Sequence, residues 1–166
     1  MLVSRHEPRL RAVARRLTRD PVTADELAHE AFVRFHRSLD LFRQEAGVAT
    51  WLYRTVVNLC HDHARAQARE QQHLSLDAER SLPSSAPSPD QAAEQAERTR
   101  LLDAAIQSLG EPMREVVLLR YIGGLGYDEI AEVVGCPPGT VASRIHRALQ
   151  ALHTLLAAQG IREDSL

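Results

Sequence analysis

The chain has 166 residues and a mass of 18.5 kDa, room for one ordinary domain or two small ones with enough apolar content for real cores. Its 20 basic residues, all arginine, stand against 22 acidic ones for a formal net charge of -2, which excludes an indiscriminate polyanion binder. Two cysteines, Cys60 and Cys136, are too few for a disulfide framework and read as buried thiols; with no apolar run near membrane-span length and no signal-peptide core, the expectation is a cytoplasmic protein without membrane insertion.

The patterning is helical throughout, with no alternating strand signal, and predicts an all-α fold of two small helical domains. A first helix is expected from about Pro8 to Leu17, with Leu10, Val13, Ala14 and Leu17 inward, before Asp20 and Pro21 stop and restart the chain. Thr23-Ala24-Asp25-Glu26 has the form of a capping box. The second helix then runs to about Leu39, with Leu27, Ala28, Ala31, Phe32 and Phe35 as its core face and Glu26, His29, Glu30, Val33 and Arg37 outside. A third spans about Ala49 to Gln71 and buries Trp51, Leu52, Thr55, Val56 and Leu59. Its outer row of Arg54, Asn58, His61, Asp62 and Arg65 suits nucleic acid.

From Ser75 to Glu94 the chain concentrates Pro, Ser and acid without an apolar period, the composition of a flexible linker. The layout is therefore a domain over 1–74, a linker over 75–96 and a domain over 97–160. Beyond the linker, Leu101, Leu102, Ala105, Ile106 and Leu109 make one helix ending at Gly110, and Pro112 opens the next, with Val116, Val117, Leu119 and Arg120. Gly123, Gly124 and Gly126 predict a flexible turn.

Tyr127 to Leu152 read as two short helices joined by a tight turn, a helix-turn-helix. Ile130, Ala131, Val133 and Val134 give the first an apolar face, Gly135 lets the backbone leave it, and Pro138 fits the start of the second. Val141, Ile145, Ala148, Leu149, Leu152 and Leu156 form the buried stripe of that second helix. The opposite face carries Ser143, His146, Arg147 and Gln150, flanked by Arg144, groups able to donate to phosphates or read base edges in a major groove. No acid lies between Glu132 and Glu163, so this unit is locally basic within an acidic half.

Catalytic chemistries fail on spacing. Cys60-His61-Asp62-His63 puts neighbours on different sides of a helix, with no second pair at metal-ligand spacing, and His29-Glu30-Ala31-Phe32-Val33 lacks the second histidine of a zinc protease. A glycine-rich phosphate loop and a nucleophile elbow are both missing. Neither an enzyme, a metal site nor a cofactor is expected.

Trp51-Leu52-Tyr53-Arg54-Thr55-Val56-Val57-Asn58, preceded by Ala24 to Phe32 and followed by the Tyr127 to Leu152 unit, resembles an extracytoplasmic-function (ECF) sigma factor of the sigma-70 family, over roughly Arg9 to Leu156. The resemblance implies a bacterial transcription initiation factor that binds core RNA polymerase, recognises and helps melt the minus-ten promoter element through region two, and reads the minus-thirty-five element through region four. It implies that Asp25, Glu26, His29, Glu30 and Val33 dock on the polymerase. It also implies that Arg54, Asn58, His61, Asp62 and Arg65 face the displaced promoter strand, and that Phe42 and Arg43, in the loop from Asp40 to Thr50, help accept an extruded base. Ser143, Arg144, His146, Arg147 and Gln150 become the upstream-element face. An anti-sigma factor is a further implied partner. The chain departs from the family pattern at His29, where a glutamine is usual, at Ala142, where a basic residue is common, and at Gly126, where a serine cap is usual. Two alternatives are a stand-alone helix-turn-helix regulator and a sigma mimic that sequesters an anti-sigma factor. The first leaves the Asn58 row and the Asp25 to Glu30 face without a task.

Overall fold

The computed structural model describes residues 2–38, 47–73 and 91–158. They form seven α-helices and no strand: α1 (Leu2–Thr18), α2 (Pro21–Arg37), α3 (Val48–His73), α4 (Gln91–Ser108), α5 (Glu111–Val117), α6 (Tyr127–Val134) and α7 (Pro138–Ala158). α4 thus begins inside the segment read as linker; residues 74–90 of that segment lie outside the described residues.

α1, α2 and α3 pack as a three-helix unit. Leu10, Val13 and Ala14 of α1 are fully buried, as their spacing predicts, against Ala24, Ala28, Ala31 and Phe35 of α2 and Leu52 and Val56 of α3. Two helix starts differ from expectation. α1 opens at Leu2 and carries Pro8 inside its second turn rather than at its first position; a proline so near the start removes one backbone bond without ending the helix.

α2 starts at Pro21, capped by Asp20, and not at a Thr23 capping box. The Asp20 carboxylate accepts from the Val22 and Thr23 amides and from the Thr23 hydroxyl. It therefore caps the helix three residues before Thr23, whose own hydroxyl is drawn into the cap, and Pro21 needs no acceptor. Those bonds, the Thr23 hydroxyl's first, hold the Asp20 carboxyl below its usual range.

In the second unit α5 continues without a break into a wider π turn, Leu118–Ile122. The Gly123 amide donates to the Leu118 carbonyl at 2.9 Å and the Leu125 amide to that of Leu119 at 3.1 Å. The widened turn brings Leu118 and Leu119 both fully inside. Arg120 secures the exit: its guanidinium donates to the Leu125 carbonyl at 2.8 Å and lies 5.2 Å from the centre of the Tyr127 ring. The three-glycine segment is consequently a shaped corner rather than a flexible turn. A methyl group on Gly123 would sit 2.6 Å from the Leu119 carbonyl oxygen and 3.2 Å from the Tyr53 ring, so only glycine lets these elements approach.

The two units share one core. A single cluster of buried apolar side chains runs from Leu10 and Val13 through Tyr53, Val57 and Cys60 to Leu118, Leu119, Leu125 and Ile130, and on to Val141, Ile145 and Leu152. α3 is the common wall, packed by α1 and α2 on one side and by α6 on the other.

Candidate nucleic-acid interface

α6 and α7 build the helix-turn-helix as its turn chemistry predicts. Gly135 ends α6 in the left-handed conformation at φ 69°, and its amide and that of Cys136 both donate to the Ala131 carbonyl. Pro138 is the first residue of α7, and the Pro137 carbonyl accepts from Thr140 and Val141. At the other end of α6, Gly126 has no side chain to cap with, so only half of a capping box forms: the Glu129 carboxylate accepts from the Gly126 amide at 2.7 Å.

Val141, Ile145, Ala148, Leu152 and Leu156 of α7 are buried. Leu149, expected in that stripe, is 41% exposed, because the apolar seam is narrower than the sequence pattern allows. Ser143, His146, Arg147 and Gln150 are all exposed. Offsets of three, four and seven residues put them on one helix face. Arg144 stands apart, half-buried, its guanidinium 3.7 Å from the Cys136 sulfur in the turn. It braces the motif rather than presenting its charge beside Arg147.

The row on α3 divides. Asn58, Asp62 and Arg65 are exposed, the last two paired at 2.7 Å. Arg54 and His61 turn instead toward the second unit. Arg54 donates from two nitrogens to the Glu132 carbonyl of α6, at 2.7 and 3.1 Å. His61 places Nε2 3.4 Å from a Glu111 carboxylate oxygen and 3.6 Å from one of Glu115. Periodicity did not separate these two from Asn58, since their partners lie 78 and about 50 residues along the chain. Phe42 and Arg43 lie outside the described residues.

Tyr53 and Val57 were missed as core; together with Val56, Leu59 and Cys60, the last buried as expected, they make α3 apolar around nearly half its girth, the available signal of a helix buried against more than one neighbour. The Tyr53 hydroxyl donates to the Gly123 carbonyl, and burial pushes its phenol up to about 12. A second set of contacts joins α1 to α4. Arg16 donates to Asp103 at 3.0 Å, Arg19 to the Gln107 side chain at 2.7 Å, and Gln107 in turn to the Arg16 carbonyl at 2.8 Å.

On α2, Asp25 is drawn against α1, where one Arg15 nitrogen donates to both its oxygens at 3.0 Å and Arg11 lies 3.5 Å away. Glu26 and His29 are exposed, and Val33 is half-buried beside them in the same helix. Glu30 pairs with Arg34 at 2.7 Å, and that hydrogen bond holds its carboxyl below the usual range. Among the described residues no group of His, Cys, Asp and Glu is arranged to hold a metal ion, and no helix is long and apolar enough to cross a membrane.

Two family models match, Sigma-70 region 2 over residues 2–70 and Sigma-70, region 4 over residues 99–152. Among characterised relatives, the RNA polymerase sigma-H factor of Pseudomonas aeruginosa is 32% identical over 94% of this chain and 84% of its own length. The ECF RNA polymerase sigma-E factor of Escherichia coli is 32% identical over 92% and 83%. Two solved structures share the fold across both units. RpoE in complex with the anti-sigma factor NepR from Bartonella quintana has a TM-score of 0.74 and 25% identity, covering 93% of this chain and 94% of that one. CnrH in complex with the cytosolic domain of CnrY has a TM-score of 0.67 and 26% identity, covering 95% and 86%. With region two and region four in order, and with relatives of this identity spanned over most of their length, the chain belongs to the ECF sigma factors of the sigma-70 family.

Proposed function

We propose that this chain binds core RNA polymerase and directs it to promoters with two spaced elements, and that it does so through the residues described above. The factor is not an enzyme; the chemistry of RNA synthesis belongs to the polymerase. The observation that carries the reading is the pairing of an exposed, acid-free face on α7 with the α3 row of a second matched sigma region in the same chain. Ser143, His146, Arg147 and Gln150 read the upstream element, with Arg144 holding the turn that aims them. Asn58, Asp62 and Arg65, joined by Arg54 and His61 once these are released, line the path of the minus-ten strand, with Phe42 and Arg43 at the extruded base. Glu26, His29, Glu30 and Val33 offer a mixed acidic and apolar surface for the polymerase, with Asp25 setting the position of α2 against α1.

The functional division follows the layout of a promoter-melting unit over 1–74, a linker over 75–96 and an upstream-element unit over 97–160. The work is done in the cytoplasm, where polymerase and promoter are. An anti-sigma factor is a further partner. One solved structure that shares the two-unit arrangement is the sigma factor RpoE held by the anti-sigma factor NepR, and another is CnrH held by the cytosolic domain of CnrY.

Selection of promoter DNA from a randomised pool, using core polymerase loaded with this chain, tests the reading. The expected pool carries two short elements at fixed spacing. Enrichment of a single element, or of none, contradicts it.

A further inference from the structure

The contact between the two units contains a titratable cluster that the promoter-reading assignment leaves unused. His61, on α3, faces α5. Its Nε2 is buried, lies 3.4 Å from Glu111 and 3.6 Å from Glu115, and makes no hydrogen bond. Glu115 is a charged residue only 7% exposed, placed in the wall between the units. Cys60, the neighbour of His61, is buried beside it.

A carboxylate so placed is costly unless a cation or a proton offsets it. Arg114 of α5 and Arg144 of α7 act on Glu115 from its other sides. Arg114 donates at 3.3 Å to the Gln107 carbonyl, and Arg144 is directed at Cys136. From α6, Glu132 reaches the α3 seam, where it lies 3.9 Å from Arg54. On α3 itself Asp62 is paired with Arg65. Among the described residues, the ion pairs of His61 are those with Glu111 and Glu115 alone.

We propose that His61, Glu111 and Glu115 form a proton-operated clasp that holds region four closed over region two. With a proton on Nε2, His61 is a cation between two carboxylates and joins α3 to α5. Without it, two carboxylates face a neutral ring, one of them shut away from water, and separating the units hydrates them. Burial, the largest influence, raises the Glu115 carboxyl from its usual range, with the His61 charge opposing it. The closed form therefore binds the Glu115 proton more tightly than an open form in which that carboxyl is hydrated. By linkage, acid stabilises the closed form, and that stabilisation is lost as pH rises through the raised range of the Glu115 carboxyl.

The clasp stands on the placement of His61 between Glu111 and Glu115 and on the burial of Glu115. Its consequence rests on the promoter reading: the closed form ties up Arg54 and His61, two of the five α3 residues assigned to the minus-ten strand, so opening exposes them.

Small-angle scattering of the full chain, from about pH 5.5 to pH 8.5 at constant ionic strength, reads the clasp without polymerase or DNA, and circular dichroism at each pH confirms that the helices persist. The wild-type radius of gyration is expected to rise with pH. His61→Gln, neutral throughout, is expected to remove that rise, and Glu111→Gln, at an exposed position that leaves the core intact, to weaken it. A wild-type radius that stays constant across the range overturns the proposal. So does a His61→Gln chain that keeps its helices and the full rise. A failed promoter selection with an intact pH response would count against the promoter reading and leave the clasp standing.

Discussion

The Tyr53 hydroxyl donates to the carbonyl of Gly123 across 3.1 Å, joining the second turn of α3 to the corner that precedes the helix-turn-helix, 70 residues away. Both groups are buried, and the ring edge lies where a side chain on residue 123 would have to go. Tyr53→Phe keeps the ring and leaves the carbonyl without this donor, a loss of about 1 kcal/mol. Gly123→Ala forces a carbon against the Leu119 carbonyl and the tyrosine ring together, and is expected to cost more than Tyr53→Phe. Urea unfolding of the two variants checks the order. Equal stability of both with wild type would show that the units do not pack here.

Gly135 gives a cleaner number. It sits at φ 69° with nothing within 4 Å of an added methyl group, so Gly135→Ala meets no neighbour and costs only the left-handed backbone, about 1 to 2 kcal/mol. Thermal unfolding measures it. A neutral substitution would mean that α6 does not end in this conformation.

Arg144 and Arg147 are three residues apart and should fail differently. Arg147→Ala is expected to weaken binding of holoenzyme to the upstream element while core polymerase binding stays intact. Arg144→Ala removes the contact with Cys136 and is expected to lower the stability of the motif first. Band shifts with wild-type and altered upstream elements, run beside polymerase pull-downs, separate the two. Equal loss of DNA and polymerase binding in a folded Arg147→Ala chain would contradict the division of labour between the regions.

Alkali tests the shared core. Burial pushes the Cys60 thiol up to about 12 from 9.0, with the Glu115 charge adding to it, and the Tyr53 phenol to about 12 from 10.0. Both groups ionise more easily in the unfolded chain. Their contribution is full below pH 9 and is lost as pH climbs toward 12. The fall in unfolding free energy between about pH 8 and pH 10.5 should be smaller in Cys60→Ala than in wild type. At neutral pH a thiol reagent should modify the half-exposed Cys136 first and reach Cys60 only on unfolding. Equal rates for the two thiols would place Cys60 outside the core.

Local patterns carried most of this fold. Leu10, Val13 and Ala14 lie at helical spacing and are all fully buried, and Gly135 and Pro138 mark the turn because each answers a backbone need that few residues meet. The start of α2 was misread because two caps compete within four residues, and Asp20, followed by proline, takes it. Arg54 and His61 were legible as polar residues on one row with Asn58; their engagement by α6 and α5 depends on tertiary packing that no local window contains. The same packing explains Tyr53 and Val57, whose burial needs a second unit on the far side of α3. Arg144 fell on the recognition face by spacing, yet its side chain reaches back to the turn.

Run-off transcription with purified core polymerase is the most direct measurement of the central claim. On a template carrying a selected promoter, adding this chain should yield a transcript that depends on both elements and falls when Asn58 or Arg147 is replaced by alanine. No promoter-dependent transcript from polymerase that has bound the chain, with an anti-sigma factor still captured tightly, would contradict the account and make the protein a sigma mimic.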